Sequence, residues 1–334
     1  MKTIQTPISD LFPGMPFVET DIACTVFEDN HDVVPANPFY VPQVEVLEEL
    51  LVMLSLPAYG AIGLVGETGT GKTEMVTYIA HHLKMPLAVL QITGSMRPEQ
   101  MEGGLELKVE QGCTVSTFVE QHVVEVYRNG GMILLDEIDK ANPELSASLH
   151  PLMDMKPWTL SNGTVVNPHP HTRVLTTSNT VGDGLSARYT SSQQLDSALR
   201  SRIAFVYLNY PTEEVEIAIL TNQFPEIPVH LASDLVRVGN AFRDALLGQD
   251  RRNTSQDPIG EPFSTRTLVK WAAFVVGFKT SRTLRQTLHQ AYLNGCSFDD
   301  HDALHLILDH LLADNADKSL GELNLVRVRP ARIS

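Results

Sequence analysis

The sequence is poor in cysteine, in basic charge and in long apolar runs, and each shortage removes a class of protein. Its three cysteines, Cys24, Cys113 and Cys296, lie far apart and form no C-x-x-C pair. Neither a disulfide framework nor a zinc site is therefore readable, and ordinary core thiols in a reducing compartment are expected. Lys and Arg number 25 against 40 Asp and Glu, a formal net charge of −15. That balance argues against a protein that coats nucleic acid, because phosphate binding needs a basic surface. No uncharged apolar segment is long enough to span a bilayer, and Met1-Lys2-Thr3-Ile4-Gln5-Thr6-Pro7 has no charged flank with an apolar run behind it. The expectation is a soluble, cytoplasmic protein without a membrane partner. At 334 residues, core size is no constraint, and a large domain with a smaller one is expected.

What the chain does have is Gly66-Glu67-Thr68-Gly69-Thr70-Gly71-Lys72-Thr73, which fits the phosphate-loop pattern G-x-x-x-x-G-K-[ST]. It follows the apolar run Ala61-Ile62-Gly63-Leu64-Val65 and precedes the helical pattern Met75-Val76-Tyr78-Ile79-Ala80-Leu83, the strand-to-helix context that the motif requires. The glycines allow the backbone N–H groups and the helix N-terminus to close on a phosphate. Lys72 would reach the terminal phosphates, and the Thr73 hydroxyl would hold a magnesium ion. The expected nucleotide-binding set is residues 66–73 with Glu74 beside it.

Residues 1–40, rich in Pro, Asp and Asn, read as an irregular arm that either lines a base pocket or is a solvated tail. A helix of pattern Val44-Leu47-Leu50-Leu51-Leu54 follows it. After the phosphate-loop helix, Pro86 to Ile92 suits a strand buried on both faces. The order strand, helix, strand predicts a parallel sheet with crossover helices. Between 93 and 131 the chain makes an excursion. A short helix near Met96 is broken at Gly103-Gly104, and an alternating hairpin near 103–120 leads to the helix Val123-Val124-Val126-Tyr127.

Gly131-Met132-Ile133-Leu134-Leu135-Asp136-Glu137 is a buried strand with two carboxylates at its C-terminal end, where open parallel sheets bind ligands. Asp136 would bind the magnesium and Glu137 would polarise the attacking water. A helix is expected from Pro143 to about Asp154, then a hairpin about Asn162-Gly163. His169 and His171 form either a metal pair or, with no further ligand nearby, a structural or surface feature. Arg173 to Thr180 is a further strand, and Asn179 at its tip is either a turn former or a hydrogen-bond partner of the water or terminal phosphate. Arg200 and Arg202, before the strand Ile203 to Leu208, are either a surface pair or fingers that reach a neighbouring subunit's nucleotide. From Pro211 onward helices dominate, interrupted by a polar segment 248–262. Ser264 and Thr265 stand at capping positions and put Arg266 in the first turn of a helix. A cation there opposes the helix dipole unless it meets an anionic partner such as phosphate.

This order of parts resembles the AAA+ ATPases of the MoxR and dynein-related branch. The phosphate loop, Asp136-Glu137, Asn179, Arg200 with Arg202, and Arg266 look like Walker A, Walker B, sensor one, arginine finger and sensor two respectively. The hairpin before Walker B looks like the helix-two insert of that branch. Further stretches are similar to the ATPase subunit of aerobic cobaltochelatase: His169-Pro170, Thr177 to Gly182, Gln193-Gln194, Leu208-Asn209-Tyr210, Thr265-Arg266-Thr267 with Trp271-Ala272, and Tyr292 to Cys296. There are departures. Thr73 stands where that subunit has Ser, Arg200 where it has no arginine, and Ser264-Thr265-Arg266 where it has Ser-Pro-Arg.

The resemblance implies an α/β fold, an AAA+ P-loop three-layer αβα domain with a parallel sheet, followed by a small all-helical lid domain. The expected boundaries are 1–40 for the arm, 41–211 for the nucleotide-binding domain and 212–334 for the lid. It implies ATP and Mg2+ as cofactors, a homo-oligomeric ring, a hexamer, and ATP hydrolysis. It also implies a partner with a von Willebrand A (VWA) metal-ion-dependent adhesion site, in the chelatase case beside a tetrapyrrole-holding subunit. The alternatives are a MoxR-type chaperone unrelated to cobalt insertion and a nucleic-acid-linked AAA+ module, which the acidic balance opposes.

Overall fold

A computed structural model of the chain describes residues 2–19, 21–30, 32–56, 60–110, 113–181, 195–252 and 262–325. Gly182, Gln193-Gln194 and most of the polar segment 248–262 lie outside these residues. The chain divides into two compact units, Met1–Glu67 with Gly71–Leu208, and Thr68–Thr70 with Asn209–Ser334.

The first unit begins with strand β1 (Thr3–Pro7), helix α1 (Ile8–Leu11) and strand β2 (Ala23–Phe27). The two strands pair antiparallel, and Ile8, Phe12, Cys24 and Phe27 are buried with helix α2 (Val44–Ser55). The segment expected to be irregular is thus partly ordered, and the reason lies in its short apolar fragments. Each is too brief to show a period, yet each supplies one or two side chains to a core that the helix completes.

Strand β3 (Ala61–Val65) is buried along its whole length and runs into the phosphate loop, after which helix α3 spans Lys72–His82. Strand β4 (Leu87–Gln91) follows. Helix α4 (Pro98–Glu102) then opens the excursion, strands β5 (Gly103–Glu110) and β6 (Cys113–Glu120) form its hairpin, and helix α5 (His122–Asn129) returns the chain. Strand β7 (Gly131–Asp136) carries the acidic pair at its end. The helix expected from Pro143 to Asp154 is two pieces, α6 (Pro143–Ser148) and α7 (His150–Met153). Pro151 has no N–H to continue the first helix and suits the first turn of the second. The short strands β8 (Trp158–Thr159) and β9 (Val165–Val166) form the second hairpin. Leu160 N–H donates to Thr164 O, so Ser161-Asn162-Gly163 is the loop rather than Asn-Gly alone. Strand β10 (Thr172–Ser178), helix α8 (Ser197–Arg200) and strand β11 (Ile203–Tyr207) finish the unit.

The main sheet runs β11-β3-β10-β7-β4, and every neighbouring pair is parallel. The phosphate-loop strand lies second from one edge and the acidic strand second from the other, with β10 between them. Strand β4, expected to be buried on both faces, forms the other edge, and Val89 is 50% exposed. Its apolar run is matched by pairing on one side alone, a distinction that composition does not carry. The hairpin β5–β6 is a separate two-stranded sheet, with Leu105 and Leu107 73% and 74% exposed.

The second unit is helical: α9 (Glu213–Gln223), α10 (Val229–Arg252), α11 (Thr265–Gly277), α12 (Leu284–Ala291), α13 (Phe298–Leu312) and α14 (Leu320–Leu325). Helix α10 continues through 248–252, five residues of the segment expected to be a polar loop. The core gathers Leu235, Val236, Phe242, Phe263, Trp271, Leu288 and Leu308. The Trp271 indole N–H donates to Leu284 O and Thr287 Oγ1, so its one polar atom is satisfied in the interior.

Candidate nucleotide site

The loop that leaves β3 turns on glycines. Gly69 has φ +78° and Gly71, which caps α3, has φ +95°, conformations that cost a residue with a Cβ but not glycine. A Cβ on Gly71 would lie 3.3 Å from the Tyr40 ring. The loop therefore passes into the helix against an aromatic wall of Tyr40 and Tyr78, whose ring centroids are 5.5 Å apart. Burial, and then the nearby Glu74 carboxylate, pushes the Tyr40 hydroxyl well above its ordinary pKa. The first N–H groups of α3 have no acceptor within the helix and face the loop, which is the geometry that receives an anion.

Lys72 stands at the centre of the site. Its Nζ donates to Gly66 O at 2.7 Å, Glu67 O at 3.0 Å and Asn179 Oδ1 at 3.1 Å. Burial lowers its pKa to about 8, against the opposing pull of the Asp139, Asp136, Glu67 and Glu137 carboxylates. Thr73 Oγ1 donates to Asp136 Oδ1 at 3.0 Å. A hydroxyl and a carboxylate oxygen side by side are the donors a hard divalent cation takes, so this pair fits magnesium.

Asp136 ends β7 next to β10, and the Thr177 hydroxyl donates to its Oδ1 while accepting the Glu137 N–H at 3.0 Å. Glu137 sits at φ +59°, ψ +46°, a left-handed conformation that is uncommon for a non-glycine residue. Its Oε2 accepts from Lys140 Nζ at 2.8 Å and from Gln91 Nε2 at 3.2 Å. Burial alone would raise the Glu137 pKa, but the Lys140 and Gln91 hydrogen bonds and the charges of Lys140 and Lys72 hold it below the ordinary carboxylate value. The buried Asp139 accepts the Asn179 N–H at 3.3 Å and the Thr180 hydroxyl at 3.4 Å. It thereby fixes the tip on which Asn179 meets Lys72.

Residues predicted from separate motifs thus meet in pairs: Lys72 donates to Asn179, Thr73 donates to Asp136, and the Glu137 N–H reaches Asp136 through the Thr177 hydroxyl. Thr177, Asp139, Gln91 and Lys140 also contact these residues, although sequence reasoning assigned none of them a role in the site. Thr177 lies in a run of three buried hydroxyl residues, Thr176, Thr177 and Ser178, at the end of β10.

The arginines lie elsewhere. Ile203 pairs with Ala61 at the start of β3, whereas the phosphate loop follows Val65 at its end. Arg202 is therefore displaced from the loop by the length of a strand, about 13 Å at 3.3 Å per residue. Its Nε donates to Asp154 Oδ1 at 2.8 Å. Lys156 and then Arg202 hold the Asp154 carboxyl below its ordinary value. Arg200 occupies the last turn of α8. In the helical unit, Ser264 caps α11 by accepting the Thr267 N–H at 3.1 Å, and Arg266 is exposed in the first turn. The rings of His169 and His171 are tilted at 50° with centroids 5.5 Å apart, and His169 Nδ1 accepts the His171 N–H at 3.2 Å. Among the described residues no group of three His, Cys, Asp or Glu side chains is arranged to hold a metal ion.

A parallel sheet with a phosphate loop after one strand, an acidic pair after a second and a polar tip on the strand between defines a P-loop nucleoside triphosphatase of the AAA+ class. Comparison with known proteins narrows it. The family described as "AAA domain (dynein-related subfamily)" matches residues 61–203, and "CbbQ/NirQ/NorQ C-terminal" matches 216–313. The aerobic cobaltochelatase subunit CobS of a Sinorhizobium species is 23% identical over 76% of this chain and 76% of its own length. The denitrification regulatory protein NirQ of Stutzerimonas stutzeri is 24% identical over 74% and 83%. The protein CbbQ of Hydrogenophilus thermoluteolus is 26% identical over 62% and 70%. Among solved structures, the Thermotoga maritima RuvB Holliday junction branch migration motor matches with a TM-score of 0.45 at 12% identity, covering 86% of this chain and 76% of that one. The chain belongs to the AAA+ ATPases, in the dynein-related, MoxR-type branch.

Proposed function

We propose that the chain is the ATP-hydrolysing motor of a ring, a hexamer, that remodels a partner protein carrying a VWA metal-ion-dependent adhesion site. The observation that carries the ATPase part is that two successive phosphate-loop residues reach the two other strand ends, Lys72 to Asn179 and Thr73 to Asp136, with Glu137 next in the chain after Asp136. On binding, Lys72 exchanges the Gly66 and Glu67 carbonyls for the terminal phosphates, and the glycine loop with Thr68, Thr70 and Glu74 encloses the rest. Thr73 and Asp136 would hold magnesium, whose charge would offset that of the phosphates. Glu137 orients a water and accepts its proton, and Asn179 and Arg266 meet the terminal phosphate. The far position of Arg202 from its own loop supports a finger role, with Arg200, toward a neighbouring subunit rather than its own.

Two settings fit this motor. The likeness to CobS supports a cobaltochelatase subunit. The likeness of the helical region to CbbQ, NirQ and NorQ favours the alternative, a MoxR-type chaperone unrelated to cobalt insertion. The compartment proposed is the cytoplasm; among the described residues no helix is long and apolar enough to cross a membrane.

ATP hydrolysis measured against protein concentration, beside Glu137→Gln and Arg202→Ala, tests the shared-site reading. Turnover that rises with concentration and is lost in both variants is expected. A concentration-independent rate that Arg202→Ala leaves unchanged would mean that each subunit works alone.

A further inference from the structure

The helical unit contains a buried ion pair. Arg243 on α10 pairs with Glu216 on α9 through two parallel contacts, NH1 to Oε2 at 2.8 Å and NH2 to Oε1 at 2.7 Å. The two side chains are 5% and 0% exposed. Arg243 Nε donates to Phe263 O at 2.7 Å, NH1 also donates to Asn240 Oδ1 at 2.8 Å, and the guanidinium lies 4.2 Å from the centroid of the Tyr210 ring. Glu216 Oε1 accepts a second bond, from Thr265 Oγ1 at 2.6 Å. Burying two charges is costly, and packed apolar residues of the same volume often stabilise a core as well. Stability therefore does not explain the pair.

Its outward contacts do. The Arg243 bond ends on the carbonyl of Phe263 and the Glu216 bond ends on the hydroxyl of Thr265, the residues on either side of the helix cap Ser264. The first turn of α11 is thereby gripped from both sides of its N-cap, and the next residue is Arg266. Thr265 occupies the first helical position, where proline fits without loss of a bond because its N–H has no intrahelical acceptor. A threonine there adds one thing that proline lacks, the hydroxyl that Glu216 receives.

We propose that Glu216, Arg243 and Thr265 are positioning residues for Arg266: the buried ion pair fixes the angle at which α11 starts and so aims the exposed guanidinium. This rests on reading Arg266 as the residue that meets the terminal phosphate. A long cationic side chain carries much rotamer freedom. Fixing its root narrows the volume it samples, which favours a contact made in the transition state over one that only tightens ATP binding.

Steady-state ATP hydrolysis of the full chain tests this, using Thr265→Val, Thr265→Ser, Thr265→Pro, Arg266→Ala and the double variant Thr265→Val with Arg266→Ala. Losing one hydrogen bond to a buried carboxylate should lower kcat by roughly tenfold, while KM for ATP moves far less. Thr265→Ser restores turnover and Thr265→Pro behaves as Thr265→Val. In the Arg266→Ala background Thr265→Val has no further effect, since residues acting through one another are not additive. Turnover is read well below the melting point of every variant, where circular dichroism matching that of wild type shows that unfolding is not what changed. The proposal is overturned if Thr265→Val turns over as wild type does, or if its loss multiplies in full on that of Arg266→Ala. Unchanged turnover in Arg266→Ala alone overturns the role of Arg266 itself, and with it anything built to aim that residue.

Discussion

Lys72 holds two properties that pull against each other. It must be charged to attract a triphosphate, yet its burial lowers its pKa to about 8. Below that pH it carries its proton and above it the proton leaves, so ATP affinity should be constant up to about pH 8 and then weaken by about tenfold per pH unit. Binding above pH 8 should take up a proton, seen by calorimetry in two buffers of different ionisation heat; affinity that stays flat to pH 10 would refute the shift. Glu137 sets no opposing limit near neutrality, because Lys140 and Gln91 hold its pKa below the ordinary value of 4.5 and it stays ionised throughout. Glu137→Gln should bind ATP as wild type does and lose about 100- to 10,000-fold in turnover, the usual worth of a general base.

This part of the site was legible from spacing, since each motif is local. Lys72 and Thr73 sit in eight consecutive residues, and Asp136 and Glu137 adjoin at a strand end. Thr177 and Asp139 were not legible, because their roles depend on β10 lying between β3 and β7, which is a matter of strand order and not of sequence neighbourhood. The same holds for Gln91, brought beside Glu137 only by the pairing of β4 with β7.

Among the elements, the β5–β6 hairpin and the α9–α10–α11 junction contrast. The hairpin could be read from alternation alone, and its leucines are solvated, so Leu105→Ser with Leu107→Ser should shift the thermal midpoint by no more than a degree or two. A drop of several degrees would show that the hairpin packs. The junction gave no sequence signal. Glu216 and Arg243 are separated by a helix and a turn, and each alone reads as a surface charge on an amphipathic helix. Arg243→Met leaves Glu216 buried without its counter-charge and should cost about 3–5 kcal/mol in urea unfolding. The paired change Glu216→Leu with Arg243→Met should recover most of that stability but not the turnover. The ordering of β1 and β2 was hidden for a different reason: strands of five residues joined through a 15-residue connection have too little period to register.

At the scale of the whole molecule, the ring reading predicts that mixing wild type with Glu137→Gln subunits lowers turnover more steeply than the wild-type fraction falls, because a subunit that binds and does not hydrolyse stalls its neighbours. A strictly proportional fall would favour independent subunits. One local feature also bears on the stability of the whole chain. Glu137 occupies left-handed backbone space, at a cost of order 1–3 kcal/mol for a residue with a side chain. Replacing it with glycine relieves that cost, and the expected product melts a few degrees higher while losing its turnover. On the proposed function, the better-folded polypeptide would then be the one without turnover, and stability and hydrolysis make opposite demands on this one backbone position.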